Sequence, residues 1–311
     1  MNDDMASRIA KMGPLVQEMA TALKSFQDSD SKFRILKTVT PLNLDVEDPR
    51  PPSKDDSPKT LFILDSSFNP PSIAHQTLAM SALHNDSSST FAKPHRLLLL
   101  FATMNADKAP SAASFDQRLT LMSIFATDLI ANLKEHSTTH SVVPVDIGVT
   151  TVPYYTDKSA AIESEGQTWY PDKPKHIHLV GFDTLTRFFA AKYYQKFDPP
   201  FSALNPYFDA GHQLHVTLRP DEDYGSENEQ TAFVQKLADG EMEADGGKRE
   251  WAKQVDLVPP NPRAGVSSTK IRKAAKLEDW EELTQLCTPT VAEWVKSEEL
   301  YGEDDRGAKM A

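Results

Sequence analysis

The fifteen residues from Leu61 to His75 combine an apolar strand, a polar turn and the start of a helix. Ser72 can cap that helix, and His75 follows three residues later on the same side of the first turn. Backbone N–H groups at a helix N-terminus are unpaired and carry partial positive charge, so such a junction stabilises an anion. The segment therefore predicts a phosphate site that includes His75. The alternative interpretation is a capped helix with an incidental histidine.

A second cluster with phosphate-binding chemistry lies near the other end of the chain. Three consecutive hydroxyl residues, Ser267, Ser268 and Thr269, precede a basic first turn that includes Arg272. Amides, hydroxyls and cations are the groups that bind phosphate. Two separated helix ends of this kind suit a triphosphate better than a single phosphate. The alternative interpretation is a capped helix with a solvated basic end.

The elements that must position these residues alternate along the chain. We predict strands at 32–39, 60–65, 96–101, 142–149, 176–180, 213–218 and 254–258. We predict helices at about 14–27, with Pro14 in the first turn, and at about 72–84, 114–133, 182–191 and 268–299. Apolar strands that alternate with helices imply a parallel sheet covered on both faces, which binds its ligands beyond the carboxyl ends of the strands.

Composition limits the classes of function. A formal charge of −12 over 311 residues argues against nucleic acid as a partner, whereas a small phosphorylated ligand needs only a few local cations. No apolar run approaches the roughly 18 residues of a membrane span. The single cysteine, Cys287, excludes an intramolecular disulfide and a cysteine-based zinc site. We expect a cytoplasmic protein, with nuclear access as an option, and make no prediction of its oligomeric state.

The two clusters together resemble the paired signatures of the nucleotidyltransferase superfamily, specifically of nicotinamide mononucleotide (NMN) adenylyltransferases. The first signature is 66–75 and the second is 266–272; segments 105–108, 115–118 and 181–183 resemble the family's intermediate landmarks in the expected order. The resemblance covers about 60–275 and is to a divergent, fungal-type branch. It implies an α/β fold with a Rossmann-like, doubly wound, mostly parallel sheet. We expect a domain at 60–300, an N-terminal extension and proline-rich linker at 1–59, and a disordered tail at 301–311.

The resemblance implies transfer of the adenylyl group of ATP to NMN, which yields NAD and pyrophosphate with Mg²⁺ and without a covalent enzyme intermediate. It names no metal-binding side chain. His75 is then expected to donate a hydrogen bond to the phosphates of ATP, which the amides near Ser72 hold. Other nucleotide-binding residues near the two signatures would be Ser66, Ser67, Phe68, Asn69 and Ser267.

The remaining roles that the resemblance implies are distributed around the same ligands. Ser268, Thr269 and Arg272 would bind the β- and γ-phosphates. Lys108 and Arg118 would neutralise the phosphate of the mononucleotide or the developing charge, or else are ordinary surface cations. Gly181 would permit a close backbone approach, or form a plain strand-to-helix turn, and Asp183 would bind the ribose or adenosine end of ATP.

One position departs from the family pattern, because Ser66 stands where the family has its first glycine. Together with the acidic extensions, this motivates one alternative, a degenerate nucleotide-binding regulatory protein. A second alternative keeps the chemistry but uses another acceptor, such as phosphopantetheine, or CTP as the donor. Other candidate residues have simpler interpretations. Tyr154, Tyr155 and Trp169 could stack on a pyridine ring but are expected to pack instead. His176 and His178 are not expected to bind metal, and Cys287 is expected to be a buried structural thiol.

Overall fold

An eight-stranded sheet organises the part of the chain that the computed structural model describes, which is residues 3–42, 44–83, 90–103, 113–136, 143–220 and 223–302. The strands are β1 (Phe33–Val39), β2 (Val46–Glu47), β3 (Thr60–Asp65), β4 (His95–Ala102), β5 (Val145–Thr150), β6 (Lys175–Gly181), β7 (Gln213–Thr217) and β8 (Val255–Val258). Among the described residues, no helix combines the length and the apolar composition that crossing a membrane requires.

The helices cover the sheet and connect its strands. They are α1 (Asp3–Gln27), α2 (Ile73–Leu83), α3 (Phe115–His136), α4 (Tyr155–Glu165), α5 (Phe182–Phe188), α6 (Asn205–Asp209), α7 (Glu227–Asp239), α8 (Ser268–Lys276), α9 (Trp280–Leu286) and α10 (Pro289–Ser297). Short 3₁₀ turns lie at 191–193, 200–204, 243–245, 249–254 and 262–265.

The strand order confirms the predicted fold class. The sheet runs β2-β1-β5-β4-β3-β6-β7-β8, and the six strands from β5 to β8 in this order are parallel. Numbered along the chain, these six strands have the order 3-2-1-4-5-6 of a doubly wound sheet, in which a ligand crevice opens where the order reverses. Here that switch point lies between β3 and β6.

Alternating side chains place a core on each face of the sheet. Phe62 and Leu64 of β3 belong to the core under α1, α3 and the C-terminal helices, whereas Leu61 and Ile63 belong to the core under α4. All four are buried, so β3 is an apolar strand covered on both sides, as expected of a central parallel strand. A third core surrounds the far end of the sheet at β6 to β8.

The first helix differs from its prediction at its beginning. It begins at Asp3, so Pro14 lies inside the helix and not in its first turn. Met12 and Leu15 are both buried in the core on either side of Pro14. Tertiary packing of this apolar face outweighs the hydrogen bond that proline removes, since most helical stability in proteins comes from packing.

Both ends of the chain contribute to the same structure. Strand β1 pairs antiparallel with β5, and β2 pairs antiparallel with β1, so the N-terminal segment extends the parallel sheet. The tyrosine at position 301 is buried in the main core, and residues 303–311 of the expected tail lie outside the described residues.

Candidate functional site

The turn between β3 and α2 lies at the switch point of the sheet, where the sequence predicts the first phosphate site. Phe68 occupies the left-handed region of backbone space at a φ of 43°, which is uncommon for a residue other than glycine. Its side chain is fully buried, and its ring centroid lies 5.0 Å from that of His75. The buried Phe68 ring, packed against His75, therefore fixes the conformation of the turn.

Both ring nitrogens of His75 are hydrogen-bonded within this turn. The Ser72 backbone N–H donates to Nδ1 at 3.0 Å, and the Ser72 hydroxyl lies 2.8 Å from the same atom. On the other side of the ring, Nε2 lies 2.8 Å from the Ser66 hydroxyl oxygen. Ser72 is fully buried, so both its amide and its hydroxyl serve to orient the imidazole.

The proton on this imidazole can be assigned from its partners. Burial lowers the pKa of His75 to about 4, so the ring is neutral at pH 7. A backbone N–H can only donate, so Nδ1 accepts from Ser72 and carries no hydrogen. The single ring proton is therefore on Nε2, which donates to the Ser66 hydroxyl oxygen.

Position 66 does not need the conformational freedom of glycine. Ser66 is not among the described residues with positive φ, and its backbone N–H donates to the Leu100 carbonyl at 3.2 Å. The serine thus continues the geometry of β3 without strain. What the side chain adds to the family's glycine is a hydroxyl group at the His75 ring.

The second predicted cluster packs directly onto the first. The Ser268 hydroxyl donates to the Pro70 carbonyl at 2.9 Å, and Nη1 of Arg272 donates to the Asn69 carbonyl at 2.9 Å. Ser267 caps α8 by accepting from the Lys270 N–H. The two signatures, about 200 residues apart in sequence, therefore meet in the structure.

A pocket of about 140 Å³ opens beside His75 at the carboxyl ends of the central strands. Four of the predicted site residues line it, namely Ser66, His75, Gly181 and Asp183. Gly181 is the N-cap residue of α5, where a Cβ atom would lie 2.7 Å from Oδ1 of Asp183. The glycine thus makes room for the Asp183 carboxylate.

Sequence reasoning missed a buried ion pair at the base of this pocket. Asp65 ends β3 and lines the pocket, and it binds the ammonium group of Lys158 on α4. The Lys158 ammonium also lies 5.1 Å from the ring centroid of Tyr155, whose side chain lines the pocket. Desolvation by burial is the main reason that the pKa of Tyr155 is raised well above its usual value.

Two further lining residues follow a rule that could have found them. Thr217 is the last residue of β7 and Arg219 lies two residues beyond it, at the carboxyl end of a strand beside β6. Ligands of doubly wound sheets bind at that edge. The position of β7 in the sheet, which determines whether its end reaches the pocket, cannot be read from an isolated strand pattern.

Other predicted residues lie away from the pocket lining or outside the described structure. Arg118 is buried, with its guanidinium 5.6 Å from the ring centroid of Phe101 and 5.3 Å from that of Phe115. Lys108 lies outside the described residues. Ser67, Phe68, Asn69 and Ser72 belong to the segment between β3 and α2, and Ser267, Ser268, Thr269 and Arg272 lie at the start of α8; none of these eight residues lines the pocket.

The weaker candidates have packing roles. Tyr154 is partly exposed and does not line the pocket, and Trp169 packs against the core under α4. His176 and His178 are buried, and the described residues contain no metal-binding cluster of His, Cys, Asp or Glu. Cys287 is buried, as expected, and burial raises the pKa of its thiol.

Comparison with known proteins adds one relative that spans nearly the whole chain. No protein-family model matches the sequence. A Schizosaccharomyces pombe protein named "Putative nicotinamide mononucleotide adenylyltransferase" is 26% identical over 287 residues, which is 92% of this chain and 97% of that protein.

Solved structures resemble the chain only distantly. Plasmodium falciparum nicotinic acid mononucleotide adenylyltransferase, complexed with NaAD, has a TM-score of 0.43 at 13% identity, over 79% of this chain and 98% of that one. Thermotoga maritima TmcAL, bound with alpha-thio ATP, has a TM-score of 0.34 at 14% identity, over 77% of this chain and 56% of that one. The full-length sequence relative is the finding that confirms the resemblance of this chain to nucleotidyltransferases of the NMN adenylyltransferase type.

Proposed function

We propose that this protein transfers the adenylyl group of ATP to NMN, forming NAD and releasing pyrophosphate. The observation that carries the proposal is the meeting of the two signatures at the switch point. Side chains at the start of α8 donate hydrogen bonds to the loop between β3 and α2. The same segment brings Ser66 and His75 together, and both residues line the pocket. A relative named for this activity, matched over 97% of its length, supports the same reaction.

The reaction requires positioning and charge stabilisation and no protein nucleophile. A phosphate oxygen of the mononucleotide attacks the α-phosphorus of ATP, and the bond from that phosphorus to the bridging oxygen of the β-phosphate breaks. The electron pair of that bond leaves with pyrophosphate. Because a phosphate oxygen is the nucleophile, no general base is needed, and catalysis rests on groups that hold the phosphates and stabilise the developing charge.

The residues of the pocket suggest how the substrates divide the site. We place the adenosine end of ATP near Gly181 and Asp183, and its phosphates near the Ser66–His75 pair. Ser268, Thr269 and Arg272 would bind the β- and γ-phosphates, at the first turn of α8.

The mononucleotide would lie on the other side of the α-phosphate. Lys108 and Arg118 keep their expected role of neutralising its phosphate. The guanidinium of Arg118 lies against aromatic rings, so this role requires the arginine to present an N–H group beyond them.

Magnesium fits this site as a companion of the phosphates. Mg²⁺ is usually held by one or two carboxylates together with substrate phosphate oxygens and water. Asp65 and Asp183 are the two carboxylates that line the pocket, so a dedicated protein cage is not required. When bound, the ion would neutralise the charge of the triphosphate.

One assay tests the reaction directly. Purified protein with ATP, Mg²⁺ and NMN is expected to form NAD and pyrophosphate in equal amounts, measured by coupled reduction of NAD. Nicotinate mononucleotide, phosphopantetheine and CTP in parallel reactions identify the preferred acceptor and donor. Binding of ATP without pyrophosphate release from any acceptor would contradict the proposal and favour a nucleotide-binding regulatory protein.

A variant tests whether the reaction takes place at the switch-point site. His75→Ala is expected to lower kcat by about a hundredfold or more, because the Ser66–His75 pair would lose a hydrogen-bond donor to a transition-state oxyanion. Gln76→Ala on the same helix is the control, since Gln76 does not line the pocket. Full activity of His75→Ala would remove this histidine from the mechanism.

A further inference from the structure

We infer that Ser66 is the residue that donates a hydrogen bond to the phosphates, and that His75 is a positioning residue that acts through it. This inference rests on the proposed function for the identity of the ligand. It differs from the role that the resemblance implies, in which His75 contacts the phosphates itself. The difference arises at the one position of the first signature where a glycine is replaced by a residue with a hydroxyl.

The geometry leaves His75 no free donor. Its neutral ring has one proton, on Nε2, and Ser66 accepts that proton at 2.8 Å. The opposite nitrogen is held by two groups of Ser72. The Phe68 ring lies 5.0 Å from the imidazole, so packing and hydrogen bonds together fix the ring in one orientation.

The hydroxyl of Ser66 is in the position that a glycine leaves empty. Its oxygen accepts from His75, so its own hydrogen is available to a different acceptor. Ser66 lines the pocket together with His75, and a phosphate oxygen entering there is such an acceptor. A hydroxyl that accepts one hydrogen bond becomes a stronger donor of the next, because bonds in a chain polarise one another.

This arrangement orders the three residues in series. Ser72 orients the imidazole, the imidazole orients and polarises the Ser66 hydroxyl, and the hydroxyl meets the ligand. When residues act in series, removing any one of them removes the whole contribution that they make to catalysis together. When residues contact the ligand separately, each substitution removes only its own contribution, and the losses multiply in the double variant. A double-variant cycle distinguishes the two cases.

The competing role for Ser66 predicts the opposite sign. If the serine only blocks the histidine, Ser66→Gly will free Nε2 and turnover will rise above that of the wild type. If the serine is the donor, both Ser66→Gly and Ser66→Ala will lower kcat by about a hundredfold. Higher activity of the glycine variant overturns the inference.

The kinetic experiment compares Ser66→Ala, Ser66→Thr, His75→Ala and the double variant Ser66→Ala/His75→Ala in the NAD-forming assay. We expect the two alanine variants to lose kcat to a similar extent, and the double variant to be no slower than the slower single variant. Ser66→Thr, which keeps the hydroxyl, is expected to retain most of the activity. Multiplicative losses in the double variant overturn the inference.

A control separates the loss of this hydroxyl from the loss of a buried serine in general. Ser123→Ala removes a fully buried hydroxyl of α3 that donates to the Leu119 carbonyl. It is expected to leave kcat unchanged. Thermal unfolding of each variant identifies any that fails to fold.

Binding measurements keep this inference separable from the proposed reaction. Inorganic pyrophosphate titrated by calorimetry is expected to bind Ser66→Ala and His75→Ala about tenfold more weakly than the wild type, whichever acceptor the enzyme uses. In ¹⁵N NMR spectra of the wild type, His75 is expected to show the Nε2–H tautomer, and its signals should shift when pyrophosphate binds. If the wild type forms no dinucleotide but these binding effects appear, the proposed function fails and the inference stands. If Ser66→Ala binds pyrophosphate like the wild type, or the wild type does not bind it, the inference fails.

Discussion

At the scale of single residues, the least expected feature is the ion pair between Asp65 and Lys158. Only 7% and 6% of the two side chains is exposed, so both charges have left water. A buried pair gains little net stability when intact, but removing one partner leaves a charge without compensation. The pair therefore makes the pocket wall dependent on both residues.

A substitution at Lys158 tests this dependence. Lys158→Met is expected to lower the free energy of unfolding by about 3 kcal/mol or more, and the double variant Asp65→Leu/Lys158→Met to regain most of that loss. Lys59→Met is the control, because the Lys59–Asp172 pair is half exposed and solvent screens its attraction. Urea unfolding measures all three. Equal losses for Lys158→Met and Lys59→Met would contradict the expectation.

Residue spacing predicted part of the site. The three-residue interval between Ser72 and His75 correctly placed the two side chains together on the first turn. It could not show that the imidazole turns its other nitrogen to Ser66, since that depends on the path of the chain before the helix. Asp65 and Lys158 are 93 residues apart, and no local pattern relates them.

At the scale of elements, the site depends on α8 binding the turn before α2. The sequence identified both segments by composition and treated them as two separate phosphate-binding ends. The structure adds that they bond to each other, through side chains of α8 and backbone carbonyls of the turn. Helix α8 therefore supports the loop that leads into α2, the helix that carries His75.

A variant at the start of α8 tests this support. Ser268→Ala leaves the buried Pro70 carbonyl without its donor, so we expect a loss of about 1 kcal/mol in the free energy of unfolding. Turnover should fall as well, because the turn positions His75. Lys273→Ala, an exposed change on the same helix, is the control. Unchanged stability and turnover in Ser268→Ala would show that the contact does not support the site.

The positions of helices and strands with clear periodicity were predicted more reliably than the elements with which they pair or pack. A strand at 32–39 was expected and is present as β1, but its pairing with β5 joins segments more than 100 residues apart. Pattern alone cannot determine that pairing, because any edge of a sheet can accept a strand. The same limit applied to Pro14, whose usual place in a first helical turn was overruled by buried residues on both sides of it.

At the scale of the whole molecule, the sequence predicted a doubly wound sheet but not its strand order. Alternation of strands and helices indicates parallel pairing, and the order depends on which side each crossover takes. That order brings the ends of β3 and β6 together and so creates the pocket. It also buries several histidines between strands and helices.

These histidines give the molecule a response to acid. Burial lowers the pKa of His75 and His212 to about 4 and that of His176 and His178 well below the usual value of 6.5. As the pH falls below 6.5, the unfolded chain takes up protons that the folded chain does not. The stability that each such histidine contributes is therefore complete above pH 6.5. As the pH falls from 6.5 toward 4, the free energy of unfolding decreases by about 1.4 kcal/mol per pH unit for each of them.

His176→Phe isolates one contribution to this acid response. The imidazole of His176 stacks on that of His212 at 4.2 Å, and its buried Nδ1 atom has no hydrogen-bond partner among the described residues. Phenylalanine keeps a ring in the stack, removes the unsatisfied atom and cannot titrate. We expect the free energy of unfolding to rise by about 1 kcal/mol at pH 7. Between pH 5 and 6, the free energy of unfolding of the variant should depend less steeply on pH than that of the wild type, by about 1.4 kcal/mol per pH unit. Urea unfolding across this range measures both quantities.

Ile177→Val in the same strand is the control, because it should lower stability equally at every pH and leave the slope unchanged. A wild-type slope in His176→Phe would mean that this histidine is protonated to the same extent in the folded and unfolded chains, and the acid response would then have to come from other groups.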